Sequence, residues 1–300
     1  MAKKNEEVST VRRAKHGGIL TVIFAILSFL WIAPILIVLL NSFKRKAFIF
    51  THPFSLSCYS ITEGWDKFKA GITRAFCGWL NYSNGIRKTN LWECFGTSLF
   101  ITIGSVALII LCCSMCAWYI TRVHTKVTKT IYVLCLFSMI VPFQMVMFTL
   151  SKFANILHLS NPLGIIIVYL GFGAGLAVFM FTGFVKGISL EIEEAAMIDG
   201  CSPLQTFFKV VFPILKPTTV TVAILEAMWV WNDYLLPYLV LSSKYRTIPI
   251  AVQYLKQSHG QIDWGAMMAV LVLAILPIII FYIACQKYII EGVLAGAVKG

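Results

Sequence analysis

Charge is what this sequence has least of. Only 13% of its 300 residues are Asp, Glu, Lys or Arg, while 59% are apolar and the mean hydropathy is +0.82. Soluble globular domains average roughly 25% charged and about 45–50% apolar, so a soluble fold is excluded and a membrane-embedded one expected. Of the two signs of charge the acidic is the rarer, thirteen residues against twenty-five Lys and Arg, for a net charge of +12. In a soluble protein that excess would suggest nucleic acid. Here the basic residues sit mostly at the ends of apolar runs, where insertion bias and anionic lipid account for them, and no nucleic-acid partner is expected.

Several chemistries lack their residues. No GxxxxGK[ST] run occurs, so the chain is not expected to bind ATP itself. Neither HExxH nor a His/Ser/Asp arrangement suggests hydrolase chemistry, and the five histidines (His16, His52, His124, His158, His259) are scattered. No pair of CxxC motifs frames a zinc site, and no metal or cofactor is expected in this chain. Cys112, Cys113, Cys116, Cys135 and Cys285 fall inside apolar runs and read as small hydrophobes in helix packing. Cys58, Cys77 and Cys94 share one polar loop, where an odd number cannot all pair internally.

Apolar runs are what the sequence has in abundance. Six reach the ~18 residues needed to cross a hydrocarbon core of about 30 Å at ~1.5 Å per residue. They lie near residues 18–40, 98–120, 130–150, 162–185, 218–241 and 266–285. The fold expected is all-α, one polytopic unit over 18–300 with six transmembrane helices, preceded by a basic segment over 1–17. The first run has the basic lead of a signal peptide but is longer than an h-region of ~7–15 residues and lacks an A-x-A site, so it is read as a retained span. Placing the N-terminus inside puts 13 Lys and Arg inside and 12 outside. Eight of the outer twelve belong to the long loop 41–97, including Lys44-Arg45-Lys46, which opposes the positive-inside rule. Without that loop the balance is 13 against 4, and Arg122, Lys126 and Lys129 mark an inside loop.

With that orientation the loop 186–217 is inside and unusually acidic. Glu191, Glu193, Glu194 and Asp199 are four of the thirteen acids within nine residues. Ser189 suits the N-cap of a short helix whose acids face the positive end of its macrodipole, and Gly200 suits its C′ position. Ser202-Pro203-Leu204-Gln205 then reads as a capping box, and the second helix is expected to stop at Phe212, before Pro213. Ala195 and Ala196 leave one face open to close approach by another protein; the same pattern also describes two amphipathic helices resting on the membrane surface.

In the fifth run, Glu226 and Asp233 lie within the apolar stretch, where a carboxylate costs roughly 2.5–3.5 kcal/mol on insertion scales. Seven residues apart, they share one helix face, which must look into protein or water. Pro237 removes the donor for the carbonyl of Asp233, so the helix can bend there. Trp229, Asn232, Asp233 and Tyr234 supply flat apolar rings and polar groups of the kind that bind a sugar, and are candidate pathway residues with Glu226; equally, the group could lock this helix to a partner.

Glu194-Ala195-Ala196, then three residues and Gly200, then nine residues, Val210, one residue and Phe212-Pro213, resembles the EAA motif of binding-protein-dependent ABC importer permeases, EAA-x3-G-x9-I-x-LP. Val210 and Phe212 are apolar replacements. The likeness to the carbohydrate-uptake group extends to Ser42-Phe43-Lys44, Pro142 with Gln144, Trp231-Asn232-Asp233, Asp263-Trp264-Gly265 with Met268-Ala269, and a tail of Gln286-Lys287-Tyr288, Gly292 and Ala295 to Gly300. About thirty residues from Trp65 to Trp92 have no counterpart in that pattern and read as a solvated cap or one facing a partner.

The resemblance implies that the loop 186–217 is a cytoplasmic coupling helix seated on an ATPase subunit, with Glu194, Ala195, Ala196, Asp199, Gly200 and Pro213 as coupling residues. It implies a second permease subunit, two ATPase copies that bind ATP and Mg, an extracytoplasmic solute-binding protein and a sugar substrate. It also implies a bacterial plasma membrane location with both termini cytoplasmic. Competing classes are an ion-coupled secondary transporter using Glu226 and Asp233, or a membrane enzyme or assembly factor.

Overall fold

Four long helices run unbroken, two of them past an interior proline (Pro34, Pro277), while other apolar runs are bent or interrupted. The computed structural model describes residues 17–257 and 262–297, so the basic segment before Gly17, His16, His259 and the last residues Val298 to Gly300 lie outside the described residues. In chain order the helices are α1 (Gly17–Ser42), α2 (Lys46–Thr51), α3 (Trp65–Ala75), α4 (Leu80–Thr89), α5 (Leu91–Arg122), α6 (Lys126–Ile140), α7 (Phe143–Ile156), α8 (Pro162–Val185) and α9 (Leu190–Ile198). Then come α10 (Pro203–Thr206), a π-helical stretch (Phe207–Val211), α11 (Phe212–Ile214), α12 (Lys216–Asn232), α13 (Leu235–Val240), α14 (Ile248–Gln257) and α15 (Trp264–Ala297). Among the described residues there is no β-strand, and all nine cysteines are free.

Four helices, α1, α5, α8 and α15, are long and apolar enough to cross a membrane, and two bent pairs bring the number to six if each pair is one span. The fold is thus an all-α polytopic membrane architecture. The third apolar run is not one straight helix, as its length alone suggests. Pro142 has no N–H to donate and pushes Val141 into extended backbone (φ −74°, ψ 116°), so α6 and α7 meet at 108°. The helix expected to stop at Phe212 instead runs through Pro213 to Ile214 before turning by 77° into α12. A π turn directly precedes the proline, with the Phe212 N–H on the Phe207 carbonyl, and this wider turn accommodates the ring. The fifth run does not continue to residue 241 as one helix: α12 ends at Asn232, Asp233 is extended, and α13 restarts at Leu235.

The centre of the molecule is α5 packed along α8, the most extensive helix pairing. Ile109, Cys113, Ala117, Ala177, Val178, Phe181 and Val185 are buried there, joined by Phe207, Val211, Leu215 and Val222 from the elements that follow. Small residues set the spacing. A Cβ on Gly173 would meet Ile109 Cδ1 at 2.6 Å, so a larger residue there would force Ile109 to shift.

The segment 41–97 is a folded cap and not an open loop. It returns on the end of α1: Asn81 Nδ2 donates to the carbonyls of Ser42 and Lys44, both at 2.8 Å, and the Tyr82 hydroxyl meets Ser42 Oγ at 2.8 Å. Lys44 is buried, its ammonium donating to Asn41 Oδ1 (3.0 Å) and the His52 carbonyl (2.8 Å), with no carboxylate partner among the described residues. Burial lowers its pKa from 10.5 to about 8. Between those two pH values the unfolded chain holds a proton that the native state has released, so stability from this residue rises with pH across that window. Thermal unfolding of purified protein between pH 7.5 and 10 should show the native protein gaining on Lys44→Met, with the difference flat below pH 7.5.

Candidate functional site

Elbow and clasp. Past the end of α8, Ser189 Oγ accepts the Glu191 N–H at 3.3 Å and starts α9, whose acidic first turn faces the helix's own positive end. Gly200 stops it at φ +86°, a conformation L side chains adopt poorly. Ser202 and Gln205 form the capping box of α10, the Ser202 N–H donating to Gln205 Oε1 at 2.9 Å. The result is a tight helix–glycine–helix elbow.

Of the sequence-expected coupling residues, Glu194, Ala195, Asp199, Gly200 and Pro213 are exposed and Ala196 is half-buried. Around them stand uncovered apolar side chains: Leu190, Ile192, Met197, Leu204, Phe208 and, at 85% exposed, Ile198. Such a cluster, rimmed by carboxylates, is the composition of a docking surface and costly to leave in water.

One residue of the acidic run behaves differently. Glu193 is buried, its side chain only 1% exposed, and faces into the bundle. Arg122 at the end of α5 grips Oε1 through Nε (3.0 Å) and Nη2 (2.7 Å), and Trp118 Nε1 donates to Oε2 at 2.9 Å. Arg122 Nη2 also donates to the Ile188 carbonyl at 2.9 Å. The indole of Trp118 packs on Phe207, 5.4 Å between centroids, and Phe207 is fully buried in the core. The elbow is therefore clasped to α5, α8 and the π turn together. Sequence reasoning used Arg122 only for orientation and Glu193 only as an N-terminal acid; a basic residue closing an apolar run, with an acid near the next inside helix, was the available signal.

The polar group in α12 divides into two faces. Glu226, 2% exposed, points at Gly173 of α8, where a Cβ would stand 3.0 Å from its Oε2. Asp233 accepts the Tyr169 hydroxyl at 3.0 Å through Oδ2, and its Oδ1 accepts the Leu235 N–H at 3.0 Å, capping α13. Trp229 meets the Tyr169 ring edge-on at 5.4 Å, though 41% of it remains exposed. Tyr169 and Gly173 are one turn apart on α8, so this face of α12 is spent on α8. The other face opens on a cavity of about 250 Å³ lined by Trp231, Asn232, Tyr234, Gln253, Leu271 and Ile275, among others. Asn232 and Tyr234 thus share a cavity with Gln253, which the sequence did not single out, while Glu226, Asp233 and Trp229 cluster at α8.

The clasp has a measurable signature. Arg122→Ala strands a buried carboxylate and should lower stability by about 3 kcal/mol. Adding Glu193→Ala should recover part of that loss, a non-additive cycle readable from thermal melts of the purified protein.

Comparison with known proteins places the chain in a family. Residues 109–294 match the family of binding-protein-dependent transport system inner membrane components. The chain is 38% identical over 282 residues to the probable starch degradation products transport system permease protein AmyC of Thermoanaerobacterium thermosulfurigenes, covering 94% of this chain and 96% of that one. It is 32% identical to the multiple sugar-binding transport system permease protein MsmG of Streptococcus mutans, covering 94% of each. The arabinooligosaccharides transport system permease protein AraQ of Halalkalibacterium halodurans is 31% identical, with 94% and 96% covered. The fold is similar, at a TM-score of 0.70 and 20% identity, to a chain of a bacterial ABC transporter involved in the import of the acidic polysaccharide alginate, over 96% of this chain and 99% of that one. With the model match spanning the elbow and every span from the middle of α5 onward, the chain belongs to the binding-protein-dependent transport system inner membrane component family.

Proposed function

We propose that the chain is a permease subunit of an ATP-driven importer for a sugar or oligosaccharide, making and breaking no bond in its cargo. The observation that carries this reading is the elbow at 189–213: an exposed apolar face with Glu194 and Asp199 at its rim, fastened to the ends of α5 and α8 by a buried ion pair. That is the form required of a part that receives force outside the bilayer and passes it inward. A cytoplasmic ATPase pair closing on ATP and Mg would press the elbow of this chain and of a sister permease, and rock the stiff α5–α8 pair as a rigid body. An extracytoplasmic solute-binding protein would deliver the cargo from the opposite side. Both termini then lie in the cytoplasm of a bacterial cell, and the chain itself holds no cofactor.

A sugar substrate is supported by the names of the relatives and by the chemistry of the cavity beside α12. Trp231 and Tyr234 give aromatic faces to the C–H faces of a pyranose, and Asn232 and Gln253 give amides to its hydroxyls. An ion-coupled mechanism has less support. Glu226 is sealed from water, and Asp233 is occupied by Tyr169 and the α13 backbone, so neither carboxylate is placed to load an ion from a water-filled path.

Two outcomes test this. Glu194→Lys sets a cation against the partner's donors and should weaken ATPase binding by ~2 kcal/mol, about 30-fold, read as loss of co-purified ATPase and of uptake. Uptake that persists in vesicles free of any ATPase would overturn the reading. Gln253→Ala should raise the KM for uptake about tenfold, the cost of one cargo hydrogen bond left unmade, while the complex still assembles.

A further inference from the structure

The cap over 41–97 leaves three side chains uncovered at one level of the molecule. Phe76 and Leu80 are exposed and Trp79 is 71% exposed. Phe76 stacks on Phe43 at 6.1 Å and Trp79 meets Phe43 edge-on at 5.6 Å, and Phe43 is the first residue beyond α1. The backbone joins there too, with the Cys77 N–H on the Phe43 carbonyl at 2.8 Å. The opposite side of α4 lies against the first two turns of α15, so close that a Cβ on Gly85 would meet Val270 Cγ2 at 2.7 Å and the Ala266 carbonyl at 3.0 Å. The exposed trio is therefore level with the ends of two membrane-crossing helices. Trp92, in the first turn of α5, is exposed as well.

Beside it stands positive charge. Arg45 and Lys46 are exposed and make no ion pair among the described residues, and the segment 41–97 carries eight Lys and Arg against three acids. We propose that Phe76, Trp79 and Leu80, with Arg45 and Lys46, form a lipid-binding foot that seats the cap in the headgroup layer, rings at the acyl boundary and cations on the phosphates of anionic phospholipid. Aromatic side chains at a span end have an apolar body for the acyl edge and a polar rim for the headgroups. An amphipathic helix lying in that plane gains from both apolar burial and the attraction of its cations to the lipid. The foot also accounts for the Lys44-Arg45-Lys46 run, which breaks the positive-inside rule: Lys44 is consumed by internal carbonyls, and the other two face the lipid.

The test places p-benzoylphenylalanine at position 79, and separately at 80, in the full complex reconstituted into vesicles of mixed phosphatidylglycerol and phosphatidylcholine with the solute-binding protein present. After irradiation, mass spectrometry should find phospholipid adducts, with phosphatidylglycerol enriched about fivefold over its molar share, the factor one well-placed cation supplies. The double change Arg45→Glu with Lys46→Glu should bring the ratio down to the molar share or below it. Adducts to the solute-binding protein or a sister permease, or no adduct at either position in an assembled complex, would overturn the proposal, as would an enrichment unmoved by the charge reversal. None of these outcomes depends on which cargo is carried.

Discussion

The buried pair of Arg122 and Glu193 constrains everything at the elbow end of the bundle. A carboxylate 1% exposed tolerates its burial only while its donors stay in place, and here three side-chain donors, two from Arg122 and one from Trp118, converge on its two oxygens. The same guanidinium holds the Ile188 carbonyl, where the chain leaves α8. Sliding α9 by one residue would break all of these bonds together. The elbow therefore has one position relative to α5 and α8, and its exposed face is rigid where a surface helix of nine residues would otherwise fray.

Rigidity at that point matters because rigidity elsewhere is interrupted. Pro142 separates α6 from α7, the turn at Leu215 before Pro217 separates α11 from α12, and the extended Asp233 separates α12 from α13. In contrast to those breaks, α5 and α8 run unbroken over 32 and 24 residues and supply most of the buried cluster that includes Phe207 and Val211. A displacement of the elbow would enter this stiff pair directly and reach the jointed helices through side-chain packing. Irregular backbone within a membrane helix is admissible only where its freed groups find partners, and Asp233 shows how: its carboxylate caps the amides of Leu235 and Leu236.

Much of this was legible in the residues, and the remainder was hidden for identifiable reasons. Long apolar runs mark α1, α5, α8 and α15 because hydropathy needs no tertiary information. The elbow was readable down to its Ser189 cap and Gly200 stop, since capping and left-handed backbone are local. The passage of the helix through Pro213 was not, because a π turn depends on Phe207 and Val211 being held by the core. The pairing of Glu193 with Arg122, 71 residues apart, is a contact that one sequence without relatives does not display. A cap was expected around Trp65 to Trp92, but the ties that fold 41–97 onto the spans were not legible, Asn81 to Ser42 and Lys88 to Asp263 being long-range.

The two faces of α12 show why residue type alone misassigns roles in a membrane helix. Polar and aromatic residues between 226 and 234 look alike in sequence, yet helical rotation sorts them. Glu226 and Asp233 point at the stripe of α8 formed by Tyr169 and Gly173, where a hydroxyl and a missing side chain make room for carboxylates. Trp231 and Asn232 turn the other way, where Phe95 packs edge-on to Trp231 at 5.7 Å and Gln253 approaches from α14. A carboxylate that grips a neighbouring helix fixes where the opposite face stands, so the residues that hold α12 and those that line its cavity are geometrically dependent. Weakening the grip at Asp233 would displace Asn232 without touching it.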